Sequence, residues 1–374
     1  MGSSVRMHQF RTFFLSRHGW DTGRSLNALP PVLPYVRHVE IYDDYLSQPV
    51  HTPHHWLDDA LPGIQPHLLV ALRSLSLSDL CWQDQQSQNI IRDLCKHIQC
   101  LSISNLTRTH PSDYSALNFV SAAQTLEVFK YVDEEVLYHD AFYPHEVPAN
   151  WQMPHSLHSL DLDGSFSYIL AALRHCNSPP HVHTLTVNAI NDAIAALNVV
   201  QYIQYCGASL HYLNLWFMTH DEHWHKVNEQ AVAGQFCRHG GLSRSTSLQT
   251  LQLDAEAMDI LAILQQITST AMKKVVLWIT PPTLGLLDLN QLATLFQSGP
   301  LSRASLEVIG ADDNVLPLIE ARAVLYEHLD FLRAKGQLQF KRAQGLSMDP
   351  STPSLGVHSA AQESQFPDLT LPYK

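Results

Sequence analysis

The sequence predicts an α/β solenoid: a curved parallel sheet of about ten short strands with helices on its convex side. Three observations predict it. A short apolar pattern recurs along most of the chain, helix-like segments alternate with it, and glycine-rich phosphate loops are missing after every copy.

The pattern is apolar-x-x-apolar-x-apolar. It appears at Val36-Val39-Ile41, Leu72-Leu75-Leu77, Ile98-Leu101-Ile103, Leu126-Phe129-Tyr131 and Leu157-Leu160-Leu162. It continues at Val182-Leu185-Val187, Leu210-Leu213-Leu215, Leu248-Leu251-Leu253 and Met272-Val275-Leu277, with weaker copies at Leu306-Val308 and Leu338-Phe340. The nine full copies start 36, 26, 28, 31, 25, 28, 38 and 24 residues apart. Most of these intervals fall in or near the roughly 20–29 residues of a leucine-rich repeat. The last three pattern positions alternate with period two, so they form a strand that turns every second side chain inward. Between strands, Gln88 to His97, Asp192 to Tyr205, Ala257 to Ile267 and Leu289 to Phe296 carry apolar residues at helical spacing. One strand and one helix cannot bury their apolar faces alone, so successive units stack. The two long intervals mark insertions, at Tyr42 to Ala71 and Thr219 to Ser247. Three positions after the last strand leucine, where a regular repeat carries Asn or Cys, stand Leu80, Leu106 and Ser165. No asparagine ladder is expected there, and the turns must be satisfied otherwise.

This reading divides the chain into a capping helix and linker at 1–34, an irregular solenoid at 35–345 and a Pro/Ser-rich disordered tail at 346–374. The N-terminal helix is placed on Phe10, Phe13 and Phe14. At the other end, Val315 to Lys335 reads as a helix closed by Gly336 and followed by a last short strand.

Composition narrows the function. The 23 basic and 35 acidic residues give a formal charge of −12, with no evident basic cluster along the sequence, which argues against a nucleic-acid partner. No apolar run is long enough for a membrane helix, and no signal-peptide core is present. Six cysteines without a C-x-x-C pair read as free thiols in a cytoplasmic or nuclear protein.

The order HQFRTFFLSRHG, then LPYVRHVEI, then Trp56 and LRSLSLSDLCW resembles a basidiomycete-type fungal family of F-box proteins with leucine-rich-repeat-like C-terminal halves. The resemblance spans roughly residues 7 to 345 and rests on packing patterns. It implies the substrate-recognition half of a ubiquitin-ligase subunit. An F-box needs about forty residues, and only a handful precede Met7. Skp1 and a cullin are therefore expected as partners only if an F-box lies upstream. The alternative is a stand-alone repeat scaffold with no link to ubiquitin.

Catalytic signatures are absent: there is no G-x-S-x-G elbow, Walker loop or dinucleotide fingerprint, so no enzyme and no cofactor are expected. His220, His223 and His225, around Asp221 and Glu222, form a weak candidate for zinc and for a remote reading as a zinc-dependent enzyme; a solvated polar loop is the plainer account. His51, His54 and His55 before Trp56 are read in the same way. What remains is the concave strand face, where outward positions lie between the leucines. Its later strands present Tyr212, Trp216 and Trp278, with Asp254 and Lys274 beside them, a composition suited to binding an unidentified protein target. The competing expectation is that the Thr219 to Ser247 insertion packs over both tryptophans.

Overall fold

The computed structural model describes residues 11–17, 33–43, 56–80, 84–106, 115–133, 152–177, 179–217, 232–255, 257–310 and 315–343. The twelve strands form one sheet, every pair parallel and every neighbour the next strand in sequence. They are β1 (Thr12–Ser16), β2 (His38–Tyr42), β3 (Ser74–Ser78), β4 (Cys100–Ser104), β5 (Val128–Asp133) and β6 (Ser159–Gly164). Then come β7 (Thr184–Ile190), β8 (Tyr212–Phe217), β9 (Thr250–Asp254), β10 (Lys274–Ile279), β11 (Ser305–Gly310) and β12 (Leu338–Arg342). In all eleven apolar patterns read from the sequence the last two members lie on a strand, and the first member of each full copy stands two residues before it.

Register follows directly from the pattern. Leu75, Leu101, Phe129, Leu160, Leu185, Leu213 and Leu251 stand side by side in one row, and Leu77, Ile103, Tyr131, Leu162, Val187, Leu215 and Leu253 in another. Both rows are buried, in one continuous core with residues of the helices. Each fully buried side chain of this kind contributes about 1.5–3 kcal/mol, so a register slip that exposed the rows is strongly disfavoured. The alternate positions face away from that core and keep partial exposure on most strands. Purely parallel sheets are usually covered on both faces; here the strand side chains opposite the core form an open face.

The expected helices are present at Gln85–Cys95, Ala193–Cys206, Ala257–Leu264 and Leu289–Gln297. Aspartates start three of them. Asp192 Oδ1 accepts from the backbone N–H groups of Ile194 and Ala195 at 2.6 and 2.7 Å, Asp84 accepts from Gln86, and Asp288 accepts from Asn290 and Gln291. At the C-terminal end, helices Val315–His328 and Asp330–Ala334 lead to Gly336, whose φ of 68° lets its own N–H bond Arg333 and that of Gln337 bond Leu332. Strand β12 follows, as expected. A second glycine is dictated by space, because a Cβ on Gly241 would lie 2.3 Å from the ring of buried Phe236.

Two expectations change. Residues 12–16 are strand β1, paired with β2 from Thr12–His38 to Ser16–Tyr42, where a helix had been expected on Phe10, Phe13 and Phe14. Thr-Phe-Phe-Leu-Ser is rich in residues that favour strands, and pairing buries Leu15 while the Arg11 carbonyl accepts from Arg37 and His38. The turn chemistry also differs from an asparagine ladder. Asp43, Asp79, Asn105 and Asp133 follow the apolar pattern two positions after its last member, one place earlier than the site searched in the sequence. Asp79 and Asn105 adopt φ of 58° and 48°, which Asp and Asn tolerate better than most residues, and the Asn105 amide donates to Asp79 Oδ1 at 3.0 Å. On the opposite end of the strands a column of hydroxyls does the joining. Thr125, Ser156, Ser209 and Ser269 each donate to a carbonyl of the preceding unit, at Ile98, Leu126, Val182 and Leu248 respectively.

Candidate functional site

Immediately before each of strands β1 to β9, one carbonyl receives two backbone N–H groups of the next unit: Arg37 from Arg73 and Ser74, Arg73 from Gln99 and Cys100, and so on to Lys273 and Lys274 on Gln249. This repeated junction stacks the residues that carry it. Exposed Arg11, Arg37 and Arg73 thus come onto adjacent units, a basic grouping invisible in the linear sequence. The same column brings His158, His183 and His211 together, with ring centroids 6.3 and 5.3 Å apart. Burial, and then the neighbouring His211, His158 and His181, push the His183 imidazole below its ordinary value. No group of three His, Cys, Asp or Glu among the described residues is placed to hold a metal ion. His220, His223 and His225 lie outside the described residues, as do His51, His54 and His55. The described cysteines are free thiols, and burial pushes the Cys206 thiol up to about 12.

The five residues expected on the open face all lie on strands β8, β9 and β10, but in two separate rows. Tyr212 and Lys274 occupy the first row through Thr250, while Trp216, Asp254 and Trp278 occupy the fifth. Four residues along a strand is about 13 Å. Lys274 therefore does not flank the tryptophans as expected. Its Nζ lies 3.2 Å from Glu307 Oε2 on β11, and Lys341 of β12 meets the same oxygen at 2.8 Å. Glu307 is only 7% exposed. Burial works most strongly against its charge, but the hydrogen bonds and positive charges of Lys341 and Lys274 together outweigh it and hold its carboxyl below the usual range. Tyr212 is tied down too, donating its hydroxyl to Gln252 Oε1 at 3.1 Å.

The fifth row is different. The register sets Asp254 directly between Trp216 on one side and Trp278 on the other. Trp216 is 37% exposed; residues 219–231 of the insertion expected to pack over it lie outside the described residues. Trp278 is partly buried, and its indole Nε1–H is enclosed without a hydrogen-bond partner. Asp254 has no donor or cation among the described residues, and burial alone pushes its carboxyl up to about 7. Two further carboxylates of the open face, Asp161 and Asp163 on β6, contrast with it. Lys130 Nζ stands 3.5 Å from Asp161, and Asp163 is pushed up, by burial first and by Asp161 second, with Asn188 and Lys130 working the other way.

Sequence reading found the members of the fifth row but missed Glu307, because the weak copy Leu306-x-Val308 drew attention only to its apolar ends. Comparison with protein-family models gives no match for this chain, and a search of curated proteins gives none.

Proposed function

We propose that this chain is a protein-interaction module, built as a leucine-rich-repeat-like solenoid that binds its target on the open, concave face of the sheet. The observation that carries the reading is the row Trp216–Asp254–Trp278. Tryptophan is costly to leave on a surface and is concentrated in the few positions that dominate binding energy. Here an exposed indole and a half-buried one bracket a carboxylate that no described residue satisfies. The rest of the described open face offers mainly short hydroxyls, amides and paired charges, which suit a solvated sheet. The resemblance to F-box proteins with leucine-rich-repeat-like halves supports a substrate-receptor role in a ubiquitin ligase, and the unit-by-unit order of the strands agrees with that architecture.

The test is affinity capture with the full chain and with a Trp216→Ala/Trp278→Ala variant, read by mass spectrometry. Targets retained by the intact chain and lost with the variant support the face. Co-capture of Skp1 and a cullin supports the ligase role, whereas targets captured without them point to a free-standing scaffold. A variant that keeps every partner overturns the choice of surface.

A further inference from the structure

Resting on that reading of the open face, we propose that the Trp216–Asp254–Trp278 row receives a basic side chain of the partner, an arginine guanidinium in preference to a lysine ammonium. Neighbouring strands are about 4.8 Å apart, so the two indoles spring from the sheet one strand spacing to either side of the carboxylate. A carboxylate flanked by aromatic side chains is the donor set that selects a cation: the charge is met by the carboxylate, and an aromatic face attracts the cation further. A guanidinium fits better than an ammonium because it is flat, stacks on an indole and bonds both oxygens of one carboxylate.

The described residues supply no such cation. Among the described residues, Lys274 begins β10 four positions before Trp278, and Lys341 lies two strands beyond Trp278; both are committed to Glu307. On β8 the ionisable neighbour is Tyr212, whose hydroxyl is bonded to Gln252. Left without a partner, Asp254 is desolvated and its carboxyl rises to about 7. The enclosed Nε1–H of Trp278 is a second group in the same row without a hydrogen-bond partner among the described residues. The net charge of −12 favours the approach of a basic segment.

The full chain, labelled with ¹⁵N in its tryptophans, is titrated with N-acetyl-arginine methylamide and separately with N-acetyl-citrulline methylamide, its neutral counterpart. Trp216→Phe and Trp278→Phe assign the two indole signals. The expected result is saturable movement of both signals with arginine, little with citrulline and a weaker response to the lysine analogue. Asp254→Asn, shown to be folded by circular dichroism, is expected to weaken arginine binding at least tenfold. Because a carboxyl at about 7 is roughly one-tenth ionised at pH 6 and nine-tenths at pH 8, binding should tighten about tenfold over that interval. Equal responses to arginine and citrulline, or an unchanged affinity in Asp254→Asn, overturn the proposal. If capture of targets still depends on the tryptophans in that case, the binding face stands and only its choice of side chain falls.

Discussion

Replacing Asp254 by Asn is expected to stabilise the protein above neutral pH, which is unusual for the removal of a surface-facing charge. The folded state raises this carboxyl from 3.8 to about 7, with burial as the cause. A raised carboxyl means that the fold holds the proton more tightly than the unfolded chain does. Its stability is therefore full below the ordinary carboxylate range, declines as pH rises, and levels off above about 7. Each unit is worth about 1.4 kcal/mol, which sets a ceiling of about 4 kcal/mol. Asp254 keeps some contact with water, so the realised penalty is on the order of 2 kcal/mol. Asparagine mimics the neutral acid and avoids the penalty. Urea unfolding followed by circular dichroism at pH 5 and pH 8 should show the advantage of Asp254→Asn growing by on the order of 1–2 kcal/mol between them. An advantage that does not change with pH, or a variant less stable than the parent at pH 8, refutes the claim that this carboxylate is buried without a partner.

Two further substitutions probe the joints between units. Ser269 is fully buried, and its hydroxyl is placed to donate to Leu248 O at 2.7 Å or Thr246 O at 2.9 Å while accepting from the Ala271 N–H. Ser269→Ala strands these backbone groups and should cost about 2 kcal/mol in urea unfolding. Asp192→Ala removes both acceptor contacts at the start of helix Ala193–Cys206 and should cost about 1 kcal/mol, with faster amide exchange at Ile194 and Ala195.

The strands and their facing were legible because the apolar pattern has period two and recurs; a position's role in one unit sets its role in the next. For Phe13, Phe14 and Leu15 that logic failed, since three adjacent apolar residues fit a helix and a strand equally, and only pairing with Val39 and Ile41 decides between them. The turn column was overlooked for a similar reason. Asp79 and Asn105 sit one place away from the usual asparagine, and what makes them a set is a left-handed backbone, which the sequence does not display. At the candidate site the tryptophans and Asp254 were visible as outward positions. Lys274 was misgrouped because the first and fifth rows are close in sequence yet about 13 Å apart, and because its partner Glu307 lies on a strand whose pattern is weak.

The junction in which one carbonyl accepts from two successive N–H groups of the next unit explains how so irregular a chain keeps so regular a sheet. It fixes the starts of β2 to β10, each against the strand before, whatever the length of chain between them. Intervals of 24 and 38 residues therefore enter the same ladder without cumulative drift. Phase is reset at each of these junctions, so segments added between those strands leave downstream pairing intact. The outward rows can consequently diverge, one residue at a time, on a scaffold that does not have to be renegotiated with each change.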